Sequence, residues 1–346
     1  MRQRRTHSVP QYVGIDYHQA SVQVCVMDAR GQVRRNARLP NDTAAVIQAV
    51  GAVGPQVQAA VEACCGAAAF VDELTDQGGW HVVQAHPGFT SRMRQNPDKS
   101  DCSDAYLLPD LRRVGYLPTV WTASPALRDL RSLVRYRQQL VDQARNVKLR
   151  IRALLREHRL QPPLKKLWGP GGRRWLQSLE LPSLARWVLD QHLAEWTYQA
   201  ARLTACERRL AQAVQGDALV AKLLSFRGVG LVTATVLRAE IGRFDRFTSG
   251  KALAHYCGLS PRNASSGERQ ADAGLIKSGH PGLRAILVQT AHRLSQRDPR
   301  WKPYKAALRA RGKPGSVAAA AIANRWVRWL YYQMVMLERE AETPAA

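Results

Sequence analysis

The first 85 residues of the chain place short apolar runs and turn signals in an order that few folds accommodate. Residues 12–16 predict a short buried strand, and the alternating run at 21–27 predicts a second strand. A turn at 28–31 leads into a third predicted strand over 32–38. The chain is therefore expected to begin with a meander of three antiparallel strands.

Helices and strands alternate after this meander. Asn41, Asp42 and Thr43 offer N-cap side chains for a helix that runs to residue 53. The later predicted elements are a strand at 57–62, a helix to residue 77, a strand at 80–84 and a helix that begins near Lys99. Three antiparallel strands followed by βα units give the order βββαβαβα, which is that of the α/β ribonuclease-H-like fold.

The rest of the chain is predicted to be mostly helical. Residues 124–160 contain one proline and no glycine, with leucine and valine at helical spacing, and predict one long helix. Gly169-Pro-Gly-Gly172 is expected to break this pattern before a second helix at 184–214, giving an antiparallel hairpin or coiled coil that links two domains. The predicted domains are the α/β domain at 1–122, the basic hairpin at 123–215, a C-terminal domain at 216–337 with late helices at 282–296 and 316–336, and a frayed tail at 338–346.

Charge is distributed unevenly along the chain. The sequence holds 51 Lys and Arg against 27 Asp and Glu, a net charge of +24. Residues 1–110 hold 10 basic and 11 acidic residues, whereas residues 111–346 hold 41 and 16. A nearly neutral first domain and a strongly basic second half predict a polyanionic partner for the second half, with nucleic acid the first candidate.

Several classes of protein are excluded by composition. The basic start of the chain is not followed by an apolar stretch, so no signal peptide is expected. The most apolar late segment, 317–336, is interrupted by Asn324, Arg325 and Arg328, so no membrane span is expected. The six cysteines lack metal-ligand spacing and indicate reduced thiols in a cytoplasmic protein.

Four carboxylates fall at related places in the predicted fold. Asp16 ends the first strand and Glu62 ends the fourth, and these strand ends are neighbours at the centre of such a sheet. Asp101 and Asp104 are three residues apart on a helix, so they share one face. Mg²⁺ prefers carboxylate oxygens, and two such ions can clamp both oxygens of a phosphoryl displacement. We therefore expect a site for two Mg²⁺ ions, with Mn²⁺ as a substitute.

Each of these acids also has a purely structural interpretation. Asp16 can end a strand as a turn residue, and Glu62 can lie at a helix start where the dipole favours it. Asp101 and Asp104 can be ordinary first-turn acids. All four acids fall at positions that the predicted fold would bring together, and this favours the metal site over the structural interpretations. Actin-like and sugar-kinase ATPases share this core, but the glycine-rich phosphate loop that they need after the first Asp is absent here.

A glycine-rich loop between Pro261 and Pro281 carries the second constellation. Ser266 is followed directly by Gly267. A serine hydroxyl needs a base, a metal or an electropositive setting before it attacks a phosphodiester. An ordinary polar loop explains the same residues. The basic residues that follow the serine are Arg269, Lys277, His280 and Arg284.

Two further features are suited to gripping phosphate. Gly228 and Gly230 lie in a turn that resembles a helix-hairpin-helix and lets backbone amides approach phosphate, although a packing turn would use the same glycines. Residues 128–160 hold ten Lys and Arg against three Asp and Glu, an excess that favours polyanion binding over a merely solvated face. The residues of this helix expected to contact nucleic acid are Arg145, Lys148, Arg152 and Arg156.

Two separate motif sets resemble one family of enzymes. The first set resembles the DEDD pattern of a RuvC-like domain: Asp16 after Val-Gly-Ile, Glu62 after Ala-Ala-Val, and Lys99-Ser-Asp101-Cys-Ser-Asp104. The second set resembles that family's C-terminal transposase domain: Phe226-Arg-Gly-Val-Gly230, Tyr256-Cys-Gly-Leu-Ser-Pro-Arg262 and Ser265-Ser266-Gly267. On this resemblance the chain is identified as a member of the DEDD insertion-sequence transposases that are guided by a bridge RNA.

The resemblance implies a mechanism and partners. In that family a serine attacks DNA and forms a phosphoserine link beside Mg²⁺ held by the four acids. By position Ser266 is that serine, because Gly267 follows it, and Ser265 is its rival. Serine and acids come from different protomers of a homodimer, which forms a tetramer in the synaptic complex, and the RNA pairs with donor and target DNA. The resemblance also implies action at the nucleoid of a prokaryotic cell.

Two other functions compete with this interpretation. A RuvC-like structure-specific endonuclease would hydrolyse DNA with the four acids and without a covalent intermediate. A non-enzymatic nucleic-acid-binding protein would tolerate the loss of Asp16. The order and spacing of both motif sets favour the transposase over these alternatives.

Overall fold

The computed structural model describes residues 10–93, 100–163, 165–263, 272–276 and 278–342. The chain divides into two compact units, Met1–Pro125 and Ala126–Ala346. The first unit combines a mixed sheet with helices, and the second is mostly helical. This division into an α/β part and a helical part agrees with the predicted fold class.

The first unit is built on a six-stranded sheet in the order β3-β2-β1-β4-β5-β6. Strands β1, β2 and β3 form the predicted antiparallel meander, β4 and β5 continue from β1 in parallel, and β6 is antiparallel to β5. This order is compatible with a ribonuclease-H-like fold. The strands are β1 Gln11–Tyr17, β2 Ser21–Met27, β3 Val33–Pro40, β4 Val57–Glu62, β5 His81–Ala85 and β6 Thr119–Val120.

Four α-helices accompany this sheet within the described residues. They are α1 Thr43–Val50, α2 Ala67–Gly78, the single-turn α3 Pro87–Thr90 and α4 Asp101–Arg113. Helix α1 ends three residues earlier than expected because Gly51 adopts the left-handed conformation and caps it. Helix α3 and the two-residue strand β6 were not predicted, since elements this short leave little periodic signal.

The two faces of β1 serve different purposes. Val13 and Ile15 are fully buried in a core with side chains of α2, whereas the alternate residue Gly14 faces α4. A Cβ on Gly14 would lie 2.1 Å from Pro109 Cδ and 2.2 Å from the Ala105 carbonyl oxygen. The glycine therefore lets α4 rest directly on the strand.

We expect Gly14→Ala to destabilise the first unit by about 3 kcal/mol, because the added methyl group meets the backbone of α4, which cannot move aside locally. Chemical denaturation followed by circular dichroism measures the change. Gly88→Ala is the matched control, since its Cβ would meet only the His86 ring at an ordinary 3.4 Å. Equal stability of the two variants would show that α4 does not pack on Gly14.

The second unit begins with the predicted antiparallel pair of long helices, α5 Pro125–Glu157 and α7 Ser183–Ala213. Arg137, early in α5, bonds to Glu207, late in α7, at 2.7 Å, and Arg150 bonds to Glu195 at 3.3 Å. These pairs join the start of one helix to the end of the other, as an antiparallel arrangement requires.

The connection between these helices differs from the expectation. Gly169 caps a short helix, α6 Pro170–Gln177, and Gly172 lies within it instead of breaking a helix. A Cβ on Gly172 would lie 1.9 Å from the Leu167 carbonyl oxygen. The glycine is therefore required by a close backbone approach.

The remainder of the second unit surrounds one large core. Its helices are α8 Ala218–Ser225, α9 Leu231–Ile241, α10 Gly250–Tyr256, α11 Pro281–Arg297, α12 Trp301–Ala310 and α13 Gly315–Glu342. Two short antiparallel strands, β7 Pro261–Asn263 and β8 Asp272–Leu275, occupy part of the segment that was predicted to be a glycine-rich loop. Among the helices of the described chain, none combines the length and apolar character needed to cross a membrane.

The predicted frayed tail at 338–346 is wrong at its start. Helix α13 continues to Glu342, and Glu338 is buried. Its carboxylate accepts hydrogen bonds from the backbone N–H groups of Phe244 and Asp245 at 2.9–3.0 Å. Glu338 therefore joins α13 to the segment that follows α9, and residues 343–346 lie outside the described residues.

Candidate active site

The ends of β1 and β4 bring two acids to one face of the sheet. Ile15 and Val61 are paired in the parallel register, and Asp16 and Glu62 directly follow them. Gly14 and Ala60, two residues earlier on each strand, both face α4. Asp16 and Glu62 therefore lie on the face of the sheet that carries α4.

The first turn of α4 presents the other two acids. Ser100 caps the helix through a reciprocal capping box with Ser103, each side chain accepting the other's backbone N–H at 3.2 Å. This cap fixes Asp101 and Asp104 in the first turn. Asp104 is 6% exposed, whereas the Asp101 side chain is half exposed.

His18 joins the acids and was missed by the sequence analysis. Its Nε2 lies 3.2 Å from Asp16 Oδ2 and 3.6 Å from Asp101 Oδ1. One ligand atom from each of the three residues lies within 4.8 Å of the others. The available signal was the position of His18, which lies two residues after Asp16 and directly follows β1.

Electrostatics around Asp16 are those of a crowded acidic site. Burial raises the pKa of Asp16, and the charges of Asp104 and Asp101 raise it further, whereas His18 acts in the opposite direction. The pKa of the Cys64 thiol is raised by burial and also by the charges of Glu62 and Asp16. The charges of the four predicted acids therefore affect the pKa values of groups at the same end of the sheet.

This set of side chains fits a divalent cation. Carboxylate oxygens suit Mg²⁺ and Mn²⁺, and an imidazole nitrogen is also an acceptable ligand for transition metals. A cation would relieve the repulsion from Asp104 and Asp101, which adds to burial in raising the pKa of Asp16. Asp16, His18 and Asp101 are the residues closest to forming such a site, with Glu62 and Asp104 beside them.

The proposed nucleophile cannot be located in the same way. Ser265, Ser266, Gly267, Arg269 and Lys277 lie outside the described residues. On either side of the serines, β7 and β8 pair with Pro261 opposite Leu275 and Asn263 opposite Asp272. The assignment of Ser266 stays a prediction.

Three residues expected to contact phosphate have different surroundings: Gly228 and Gly230 in the turn between α8 and α9, and Arg284 in α11. A Cβ on Gly228, which has φ +83°, would lie 3.2 Å from Leu294 Cδ2, so this glycine serves packing. Gly230 caps α9 and has open space around it. Arg284 donates to the Ile276 carbonyl at 3.5 Å and packs on Gly258, so it has a structural partner.

The basic residues of α5 also divide into two groups. Lys148 lies over the rings of Trp168 and Trp196 at 5.6 and 5.4 Å, and Arg152 lies over Trp168 at 5.6 Å. These two side chains pack on aromatic rings of the hairpin as cation–π partners. Arg145, Arg152 and Arg156 are exposed, and Lys148 is half-buried.

Comparison with known proteins decides the family. A family model described as "Transposase", for the DEDD transposases of IS110, matches residues 13–159. The model of the "Transposase IS116/IS110/IS902 family" matches residues 220–306. The chain belongs to the IS110 family of DEDD transposases. The two matches cover both motif sets that carry the resemblance.

Individual relatives agree with this assignment. The transposase for insertion sequence element IS1111A of Coxiella burnetii is 24% identical, with 95% of this chain and 91% of the relative covered. The transposase for insertion sequence element IS1328 of Yersinia enterocolitica is 26% identical, over 79% and 82% of the two chains. An IS110-family transposase cleaves and rejoins DNA, and its DEDD acids indicate the use of a divalent metal.

Proposed function

We propose that this IS110-family transposase transfers DNA strands through Ser266, with Asp16, Glu62, Asp101 and Asp104 holding two Mg²⁺ ions in a ribonuclease-H-like domain. The observation that carries the proposal is the convergence of Asp16 from β1 and His18 directly after β1 with Asp101 from the start of α4. The residues come from a strand and a capped helix, so the arrangement is held rigidly.

The metal-binding part of the proposal assigns a role to each side chain. Asp16 and Asp101 supply oxygen ligands, and His18 orients Asp16 through its hydrogen bond and can supply a nitrogen. Asp104 and Glu62 complete the acidic set. When bound there, Mg²⁺ or Mn²⁺ neutralises phosphate charge and supports phosphoryl displacement.

The strand-transfer step is proposed to follow the chemistry of serine nucleophiles. The Ser266 Oγ attacks phosphorus and loses its proton, so a P–Oγ bond forms while the bond from phosphorus to the leaving strand breaks. The leaving oxygen departs as a hydroxyl after taking up a proton. Rejoining reverses the step with a hydroxyl of another strand, which releases the serine.

The acids and the serine belong to different units of the chain. We propose that each active site combines the acids of one protomer with the serine of its partner in a homodimer, and that two dimers form the synaptic tetramer. Mixing inactive Ser266→Ala protein with inactive Asp16→Asn protein tests this, because one combined site is then intact. Restored strand transfer supports the composite site, and a mixture that stays inactive contradicts it.

The reaction itself is tested with DNA that carries the ends of the insertion sequence, in Mg²⁺ and in EDTA. Wild-type protein should join strands only with the metal, and Ser266→Ala should neither cut nor join them. Strand cleavage that survives in Ser266→Ala would favour a hydrolytic RuvC-like endonuclease instead.

We further propose that an element-encoded RNA pairs with donor and target DNA, and that the protein acts at the nucleoid in the cytoplasm of a prokaryote. The net charge of +24 supports a nucleic-acid partner. Purification without nuclease followed by sequencing of the bound RNA tests the guide. A single abundant element-derived RNA is expected, and recovery of only bulk cellular RNA would contradict the proposal.

Helix α5 is proposed to contact nucleic acid through one stripe, since Lys148, Arg152 and Arg156 lie three, seven and eleven positions after Arg145. We expect the double substitution Arg145→Gln/Arg156→Gln to lower the slope of log Kd against log salt by about 2, at ~0.9 for each phosphate released. Fluorescence anisotropy over a salt series measures it. Arg30→Gln/Arg34→Gln in the neutral half removes the same charge and should leave the slope unchanged. An unchanged slope in the α5 variant would show that this stripe of α5 faces solvent and does not contact nucleic acid.

A further inference from the structure

The outward face of α13 carries a stripe of aromatic and basic side chains. Arg325, Arg328, Trp329 and Tyr332 follow the spacing i, i+3, i+4 and i+7, which places them on one side of the helix. Tyr332 is 58% exposed, and both arginines are exposed. The opposite side of α13, which includes the fully buried Trp326, belongs to the large core of the second unit.

Cations already stack on the aromatic rings of this surface. The Arg300 guanidinium lies 4.9 Å from the centre of the Trp329 ring, and Arg325 lies 4.4 Å from the Tyr304 ring. Phe226 meets Trp329 edge-on at 5.1 Å, and Lys222 lies 5.9 Å from the Phe226 ring. The Trp329 ring is therefore held in place before any ligand binds.

The positive charge of this surface is uncompensated. Within the described part of the chain, Lys222, Arg300, Arg325 and Arg328 form no ion pair with a carboxylate. The one nearby acid that lines the surface is Asp298, which accepts a hydrogen bond from the backbone N–H of Arg300 at 2.9 Å. The patch therefore attracts an anion.

The shape of the surface also suits a flexible ligand. An open groove of about 450 Å³ is lined by Arg325, Arg328, Trp329 and Tyr332. A smaller hollow of about 190 Å³ shares Trp329 and is lined in addition by Phe226, Arg227 and Arg300. The two depressions are therefore adjacent at Trp329.

We propose that this α13 surface binds an unpaired strand of DNA, with bases stacking on Trp329 and Tyr332 and phosphates contacting Arg325, Arg328 and Arg300. Rings presented beside cations are the features with which proteins bind single strands, because every base has a face that can stack. A duplex does not offer those faces, since its grooves expose only base edges. We choose DNA as the ligand because the reaction of this family cuts DNA strands. The inference therefore depends on family membership and not on the proposed chemistry of Ser266.

Binding of a labelled oligothymidylate of about 20 nucleotides, longer than the site sizes of single-strand binders, tests the proposal by fluorescence anisotropy. We expect Tyr332→Ala to raise Kd for this single strand about tenfold, a typical loss for one stacked base. Arg328→Gln should raise Kd and reduce its salt dependence. Neither substitution should change the affinity for a blunt duplex of the same length.

Two control variants separate this surface from general effects. Tyr116→Ala removes a tyrosine that is 73% exposed in the neutral first unit, and Arg309→Gln removes one positive charge from the second unit. Both should bind the single strand as wild type does, and circular dichroism should show that all four variants are folded. Unchanged single-strand affinity in Tyr332→Ala, or an equal loss on duplex DNA, would overturn the proposal. A loss seen with oligouridylate but not with oligothymidylate would overturn the choice of DNA. None of these binding outcomes depends on strand transfer.

Discussion

Asp16→Asn should lower the rate of Mg²⁺-dependent strand transfer about a thousandfold, equivalent to about 4 kcal/mol of transition-state stabilisation. The substitution keeps the shape of the side chain but removes the charge that Asp101 and His18 surround. A time course of strand transfer, on DNA that carries an end of the insertion sequence, measures the rate. Titration of Mn²⁺ by calorimetry should show weakened metal binding in the same variant.

Asp76→Asn is the matched control for this prediction. Asp76 is exposed on α2 in the same unit and lies outside the acidic site, so its loss should leave both the rate and Mn²⁺ binding at wild-type values. Thermal unfolding should give the same midpoint for the two variants. Wild-type rates in both Asp16→Asn and Glu62→Gln would show that the metal site is wrongly assigned.

Arg135→Ala should reduce the free energy of unfolding of the second unit by about 3 kcal/mol, because it leaves a buried carboxylate without its main partner. Glu240 is 3% exposed, and its two oxygens accept bonds from Arg135 Nε and Nη2 at 2.9 and 3.0 Å. Denaturant unfolding measures the loss. Arg145→Ala, which removes an exposed pair with Asp142, should cost less than about 1 kcal/mol. Equal effects would show that burial of Glu240 does not matter.

The same carboxylate gives the second unit a defined pH dependence. Burial opposes ionisation of Glu240, but hydrogen bonds from His280 and Arg135 outweigh it and lower the pKa to about 2. A carboxyl group whose pKa is lower in the folded state stabilises the fold above its unfolded value of 4.5, and this contribution is lost as pH falls towards about 2. Glu240→Gln should therefore be less stable than wild type at pH 7, with the difference shrinking below pH 4. A constant difference would contradict the assignment.

The strands of the first unit could be predicted because their apolar runs were long enough to show alternation. The order of β1 to β5 and the positions of Asp16, Glu62, Asp101 and Asp104 followed from that pattern. His18 was not predicted, because its role depends on the distance between β1 and α4 that only packing on Gly14 creates. The spacing of residues along the sequence does not show how close β1 and α4 lie in the fold.

The second unit was harder to predict because its important contacts join distant segments. Lys148 packs on the rings of Trp168 and Trp196, and Arg152 packs on Trp168, and these rings lie on other segments of the hairpin. Glu338 was assigned to a frayed tail because its partners, the backbone N–H groups of Phe244 and Asp245, lie nearly a hundred residues earlier. Local periodicity cannot show such pairs.

The most direct test of the serine mechanism is to trap the protein–DNA adduct and locate its linkage by mass spectrometry. A suicide DNA substrate that carries an element end should be incubated with wild-type protein in Mg²⁺, digested with trypsin and sequenced. We expect a nucleotide phosphate on Ser266, formed only with Mg²⁺ and absent from Asp16→Asn protein. A link at Ser265 would move the nucleophile by one residue. An adduct on a tyrosine such as Tyr17, or cut DNA with no adduct, would contradict the serine mechanism.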